Sequence, residues 1–327
     1  MNDWVVDVSK DKLIQEPIRK GFGLGLVEAG RRNSQVVAAC ADLTESTQMH
    51  LFKAAFPERF VEVGVAEQNL VTLGAGLAAA GKIPFVSSYA AFNPGRNWEQ
   101  IRTTICLNDR PVKIIGSHAG VSVGPDGATH QMLEDLALMR VLPNMVVLAP
   151  ADSIEASKAT MAMADDHRPN YMRLARESTP VITKDSTPFT IGQAQVFASG
   201  TDITLIATGT MTYHALVAAD KLYKDGIDAE VVHVATVKPL DHKTILESVR
   251  KTKAVIVAEE GQVAGGLGGA IAELLGEYCP VPMTRIGMQD RFGESGEPNE
   301  LLRHFGLDAT HIRLAAHQIM QRKQGGL

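Results

Sequence analysis

The stretch that most constrains the fold runs over residues 60–81, FVEVGVAEQN followed by LVTLGAGLAAAG. Val61, Val63 and Val65 alternate with Glu62 and Gly64, which predicts a short strand buried in a sheet, turning at the glycine into a helix. Residues 70–81 carry no charge and are apolar on nearly every side, the composition of a helix enclosed by other elements. Such a unit needs a sheet with helices packed over it, and it leaves Glu67 at the mouth of the enclosed helix. There a carboxyl is partly desolvated, so its proton becomes easier to hold or share. An acidic residue in a first helical turn also offsets the macrodipole, and spacing alone leaves both roles open.

The same alternation recurs along the chain. Pro17 opens a helical pattern through Ile18, Phe22, Leu26 and Ala29 that ends near Gly30. Residues 34–41 read as a strand and 42–47 as the polar loop at its carboxyl end, where open α/β sheets gather their ligands. Strands at 83–88, 112–116, 145–149 and 171–174 alternate with helices at 97–107, 131–141 and 152–165. The loop after Gly116 runs to about His130, a length that is usually functional or disordered. Residues 177–190 hold two prolines and little periodicity, and beyond them segments 203–207, 213–225, 229–233, 244–251, 254–258 and 268–277 repeat the alternation. The expected class is α/β, with two doubly wound domains and mainly parallel sheets. The expected boundaries are 1–180, a linker at 181–190, and 191–327.

At 327 residues, 45% apolar and 21% charged, the chain has room for two sizeable cores. A net charge of −5 leaves no footprint for nucleic acid or an anionic membrane, so any bound phosphate must meet a local basic pocket. Cys40, Cys106 and Cys279 lack CxxC or Cys/His spacing, so neither a disulfide framework nor a zinc site is expected, and a reducing cytoplasm fits. The amino end has no basic segment followed by a long apolar one, and no run nears 18 apolar residues, so neither export nor membrane insertion is expected.

Taken whole, RFVEVGVAEQN (59–69) resembles the stretch of transketolase and its relatives that carries the cofactor-activating glutamate of thiamine diphosphate enzymes. ADLTES (41–46), GSHAGVSVGPDGATHQMLEDLALMR (116–140) and RIGMQDRFGESG (285–296) agree with the same family. The resemblance covers about residues 12–316 and matches the later part of a full-length transketolase, a pyrimidine-binding domain followed by a C-terminal domain.

The resemblance implies that Glu67 hydrogen-bonds N1′ of the cofactor's aminopyrimidine, favouring the imino tautomer that removes the thiazolium C2 proton. Asp42, Tyr89 and Phe92 join it as cofactor-binding positions, with the two rings packed on the pyrimidine; core packing is the common alternative for such aromatics. Tyr89 carries a hydroxyl where many relatives have phenylalanine. In the 124–131 loop, the resemblance implies that Asp126 meets a sugar hydroxyl and that His130 bonds oxygens near the reacting carbonyl. Pro-Asp-Gly is by itself an ordinary turn signal, and a lone histidine is more often a satisfied polar residue. The positions matching the phosphate ligands are Arg19, Ser46, His118 and Arg176, and arginine forks suit phosphate oxygens.

Two glycine-containing stretches carry other expectations. GQVAGGLGG (261–269) departs from GxGxxG and reads as close backbone packing at a helix start. Thiamine diphosphate enzymes hold the pyrophosphate through Mg2+ or a similar metal on a GDG motif followed by asparagine. Pro125-Asp126-Gly127 lacks the first glycine, so no metal ligand is assigned to this chain and the metal site is expected on a partner subunit. The resemblance therefore implies one subunit of a split transketolase that transfers a two-carbon ketol unit between sugar phosphates, as a self-dimer within a two-plus-two assembly. A 1-deoxyxylulose-5-phosphate synthase-like subunit, a 2-oxoacid dehydrogenase β-like subunit, a transketolase for an unusual sugar phosphate and a non-catalytic homologue are the alternatives.

Overall fold

The structure, a computed structural model, describes residues 3, 5–9 and 12–325. In chain order the first elements are β1 (Gln15–Pro17), α1 (Ile18–Arg32), β2 (Val36–Cys40), α2 (His50–Ala55), β3 (Phe60–Glu62), α3 (Glu67–Ala79) and β4 (Ile83–Tyr89). There follow α4 (Trp98–Gln100), which continues as a π-helical turn Ile101–Cys106, then β5 (Lys113–Ser117), a 3-10 turn Val121–Asp126, α5 (Asp135–Arg140), β6 (Val146–Leu148), α6 (Ser153–Asp165), β7 (Asn170–Arg173) and β8 (Ser178–Pro180). The remainder comprises β9 (Gln195–Ala198), β10 (Ile203–Ala207), α7 (Met211–Lys224), β11 (Ala229–His233), β12 (Thr236–Lys238), α8 (His242–Thr252), β13 (Val255–Gln262), α9 (Leu267–Tyr278), β14 (Met283–Met288), α10 (Pro298–His304) and α11 (Ala309–Gly325).

Two sheets organise these elements. The first has the order β12-β6-β7-β5-β4-β2-β3 and is parallel except at β12; the second has the order β14-β13-β10-β11-β9 and is parallel except at β9. Central strands such as VVAAC of β2 and NYMR of β7 are buried throughout, as parallel strands covered on both faces must be. Apolar clusters centred on Phe22, Phe52 and Phe85 and on Leu70, Ile105 and Tyr171 support the first sheet.

The structure corrects the reading of residues 60–81 in two ways. β3 is a three-residue edge strand rather than a buried one, with Val61 37% and Val65 70% exposed, because it pairs with β2 alone. The α3 helix starts at Glu67 and is enclosed on one face only: Glu67, Leu70, Val71, Gly74 and Ala78 are buried, whereas Gln68, Asn69 and Gly76 are exposed. Alanine and glycine made the segment look apolar all round, yet alanine, with a small side chain and the best helix propensity, suits a half-exposed face equally well, and glycine brings no side chain to bury.

The domains interlock. β12, from beyond the proline-rich stretch, pairs antiparallel with β6 and completes the edge of the first sheet. Ala149 N donates to Ala235 O at 2.8 Å, and buried Glu155 on α6 meets buried His233 on β11 at 2.7 Å. Asp152 caps α6 by accepting from Glu155 N, and it also accepts from Ile182 N, Thr183 N and the Thr183 hydroxyl, which fixes the start of the connection. The three cysteines are free, and burial pushes the Cys106 thiol up to about 12. Among the described residues, no helix is long and apolar enough to cross a membrane.

Candidate active site

The carboxyl ends of β2, β4, β5 and β7 face one region, and strand register decides which side chains meet there. Tyr89 and Ser117 are register partners at the ends of β4 and β5, so the next residue, His118, lays its ring on Tyr89 with centroids 3.9 Å apart. His118 has φ +58 and Asp42, following β2, also has φ +58. Left-handed backbone at a non-glycine residue costs roughly 1–2 kcal/mol, and such strain gathers at binding sites. The close approach at this end also needs Gly116, where a Cβ would lie 2.2 Å from the Tyr171 hydroxyl.

Four of the expected residues form a basic end. Arg19, in the first turn of α1, donates to Arg176 O at 3.1 Å and to Ser46 O at 2.5 Å, so Ser46 enters through its carbonyl. Arg176 donates to Val123 O at 2.7 Å and stands 3.9 Å from Asp126. Burial draws the Arg19 guanidinium below its ordinary value, and the Arg176 charge adds to this. Two like charges held together in a half-buried place are the electrostatic mark of an anion site. His118 does not act there as a third cation. Burial, followed by the charges of Arg19 and Arg176, draws its pKa from 6.5 to about 3, so its ring is neutral at physiological pH.

That shift has a testable sign. The folded value lies below the unfolded one, so the unfolded chain takes up the proton first. The associated stability is fully present above pH 6.5 and drains away as pH falls towards 3. His118→Gln should therefore flatten the loss of stability on acidification, by up to about 1.4 kcal/mol per pH unit. Denaturant unfolding of both proteins at several acidic pH values measures the slope, and parallel profiles would contradict the assignment.

Glu67 occupies the other end of the region. It is 2% exposed, and its Oε2 accepts from Arg96 Nη1 at 2.8 Å. Oε1 carries no hydrogen bond among the described residues. Asn97 donates to Glu67 O at 2.8 Å and to Asn93 Oδ1 at 3.1 Å, which anchors the helix start. The Arg96 guanidinium lies 4.8 Å from the Phe92 ring centre; Phe92 meets His130 edge-on at 5.4 Å, and His130 lies 6.2 Å from Tyr89. Tyr89 and Phe92 are near parallel, at 20°, with centroids 6.3 Å apart. Direct contacts thus join Glu67, Arg96, Phe92, His130, Tyr89 and His118 in one set and Arg19, Arg176, Ser46 and Asp126 in another, and the two sets meet electrostatically, where the Arg19 and Arg176 charges act on His118. Among the described residues Asp42 acts through its backbone N–H, which donates to Glu62 Oε1 at 2.7 Å.

Sequence reasoning missed Arg96 and Glu62. Arg96 partners a residue 29 positions away, which no local pattern announces. Glu62 accepts from Asp42 N, Gly64 N and the Thr44 hydroxyl, tying the loop after β2 to the turn before α3. Its role follows from β3 lying at the sheet edge beside β2, which the reading of residues 60–65 as a buried strand did not reveal.

A two-domain α/β protein with a buried carboxylate, paired aromatic rings and a basic anchor at the strand ends fits the thiamine diphosphate-enzyme class. Residues 16–181 match the family described as "Transketolase, pyrimidine binding domain" and residues 192–312 that described as "Transketolase, C-terminal domain". The 6-deoxy-6-sulfo-D-fructose transketolase subunit SqwH of Clostridium sp. is 42% identical, over 95% of this chain and 97% of its own length. One of the subunits of the apulose-4-phosphate transketolase of Phocaeicola vulgatus is 36% identical, over 93% and 97%. A solved structure titled "Split gene transketolase, inactive beta4 tetramer" superposes with a TM-score of 0.88 at 44% identity, covering 93% of this chain and 98% of that one. The chain belongs to the transketolase family, of which it contains the pyrimidine-binding and C-terminal domains.

Proposed function

We propose that the chain is one subunit of a thiamine diphosphate-dependent transketolase. It would transfer a two-carbon ketol unit from a ketose carrying a terminal anion to an aldose phosphate. The observation that carries this reading is the succession from the Glu67 carboxyl, through Arg96 to two aromatic rings with His130 and His118, to the Arg19/Arg176 pair whose charges act on His118. The same order of chemistry is needed by a flat pyrimidine, a reacting carbonyl and a distal anionic group.

The residues fit the cofactor. Glu67 has one oxygen without a hydrogen-bond partner among the described residues, and Tyr89 and Phe92 offer nearly parallel ring faces, the Phe92 ring lying against the Arg96 that bonds Glu67. When bound, thiamine diphosphate supplies a carbanion-stabilising thiazolium. Glu67 would hold a proton against the pyrimidine nitrogen, while Tyr89 and Phe92 would orient the ring and help exclude water. Arg19, Arg176 and neutral His118 would receive the substrate's anionic end, with Ser46 fixing Arg19 through its carbonyl. Asp126 would accept from a sugar hydroxyl, and His130 would donate towards oxygens at the reacting centre. Asp42 would reach the cofactor from the strained turn after β2.

Residues 1–180 would form the pyrimidine-binding unit and 191–327 the C-terminal unit, in a cytoplasmic enzyme. The absent GDG motif assigns the pyrophosphate and its Mg2+ or similar ion to an N-terminal subunit. The half-covered apolar residues of α3, Leu73 and Leu77, and exposed Val65 before the helix are where a second copy would pack in a two-plus-two assembly. The relatives named for 6-deoxy-6-sulfo-D-fructose and for apulose 4-phosphate support an acceptor or donor outside the common sugar phosphates. A guanidinium pair reads terminal charge and hydrogen-bond acceptors, which a sulfonate and a phosphate share.

Arg176→Ala tests the anion reading in the reconstituted complex. KM for phosphorylated donors should rise about 10- to 150-fold, the value of one lost charge-assisted bond, with a much smaller change for hydroxypyruvate. An equal loss with both donors would reduce Arg176 to a support for the 121–126 turn.

A further inference from the structure

The second domain touches the candidate site through a pair of glutamates at the end of β13. Glu259 and Glu260 are both buried. Glu259 accepts from Leu267 N at 2.9 Å and Gly268 N at 2.7 Å, so the glycine stretch 261–269 serves to start α9 on a carboxylate. Glu260 points the other way, across the domain boundary. Its Oε1 accepts from Ser122 N at 2.7 Å and its Oε2 from the Thr210 hydroxyl at 3.0 Å, while its carbonyl takes a bond from the Arg173 guanidinium.

Ser122 lies in the 3-10 turn Val121–Asp126, whose last residue faces Arg176. Gly120, at φ +91, leads into that turn, and a Cβ there would stand 2.2 Å from Glu260 Oε1, so the backbone and the carboxylate are packed to touching distance. Gln131 Nε2 lies within bonding distance of Val121 O, Gly124 O and Glu294 O, the last of these on the second domain. Within its own domain the turn is held by Arg176 on Val123 O and by Gly120 N on Met132 O. Removing the Glu260 carboxylate would leave a buried backbone N–H without an acceptor, at the start of the segment that presents Asp126 and His130.

We propose that Glu260 is a positioning residue: the C-terminal domain uses its carboxylate to set the Val121–Asp126 turn, and thereby Asp126 and His130, for the sugar. The positioning of the turn stands on this chain's geometry, and its consequence for the sugar rests on the transketolase reading. Hydrogen–deuterium exchange of the full chain, read over 120–127, tests the first part. Glu260→Ala should speed exchange there by about 10- to 100-fold, while α3 and β4 stay protected. Glu260→Gln keeps the volume and one acceptor, so it should fall between Glu260→Ala and wild type.

In the complex with its partner subunit, Glu260→Ala should raise KM for the sugar phosphate about tenfold or more, with kcat within roughly threefold of wild type and thiamine diphosphate affinity unchanged. Wild-type exchange over 120–127 in a folded Glu260→Ala protein would overturn the proposal. If that variant does not fold, wild-type exchange in Glu260→Gln would do the same. Faster exchange in a system whose wild-type complex transfers no ketol unit would confirm the tether and sink the transketolase reading instead.

Discussion

Glu67→Gln is expected to abolish nearly all turnover of the reconstituted complex, by about 10²- to 10⁴-fold, while leaving the fold and most cofactor affinity intact. A carboxyl can exchange a proton with the pyrimidine nitrogen, whereas a primary amide cannot do so at neutral pH. The fold should survive because the amide oxygen still accepts from Arg96, whose side chain is 51% exposed, so the ionic part of that pair is screened by water. Asn97 bonds the Glu67 carbonyl rather than its side chain, so the start of α3 keeps its anchor. Steady-state rates with calorimetric titration of thiamine diphosphate separate chemistry from binding. Turnover near the wild-type rate would return Glu67 to the role of a buried charge that offsets the helix dipole.

The isolated chain is expected to show no sustained ketol transfer, and to gain it only when mixed with a polypeptide that carries the GDG motif. Among the described residues there is no group of three His, Cys, Asp or Glu side chains able to hold a metal ion, and the basic pair sits at the sugar end of the site. Beside Glu67 the cation is Arg96, which is already paired with the Glu67 carboxylate. The assay is the purified chain with thiamine diphosphate, magnesium, xylulose 5-phosphate and ribose 5-phosphate, with and without the second polypeptide. Multiple turnovers by the chain alone would overturn the division of the site between two subunits.

Much of the fold was legible because buried parallel strands are continuous apolar runs. Residues 203–207 and 229–233 carry the same limits in sequence and structure. Short edge strands were not legible: β9 and β12 span four and three residues, and each pairs with a single neighbour, so neither shows a full period. In the candidate site, the residues drawn from the family stretches lie close together, but the roles of main-chain atoms were invisible. Ser46 offers a carbonyl, and the His118 pKa is lowered chiefly because folding buries its ring, with the charges of Arg19 and Arg176 adding to this. Arg96 escaped for a related reason, since a bond between the end of one loop and the start of a distant helix exists only once the sheet has assembled.

The loan of β12 to the first sheet also sets an order of events at the ribosome. When residue 180 leaves the exit tunnel, every other strand of that sheet has been made, but the open edge of β6 still shows unpaired N–H and C=O groups. Closure waits for residues 236–238, by which time β10, α7 and β11 have also emerged. The nascent pyrimidine-binding half is thus held unfinished until much of the other half exists, and a break in the connection would leave an adhesive edge behind rather than a self-sufficient fragment.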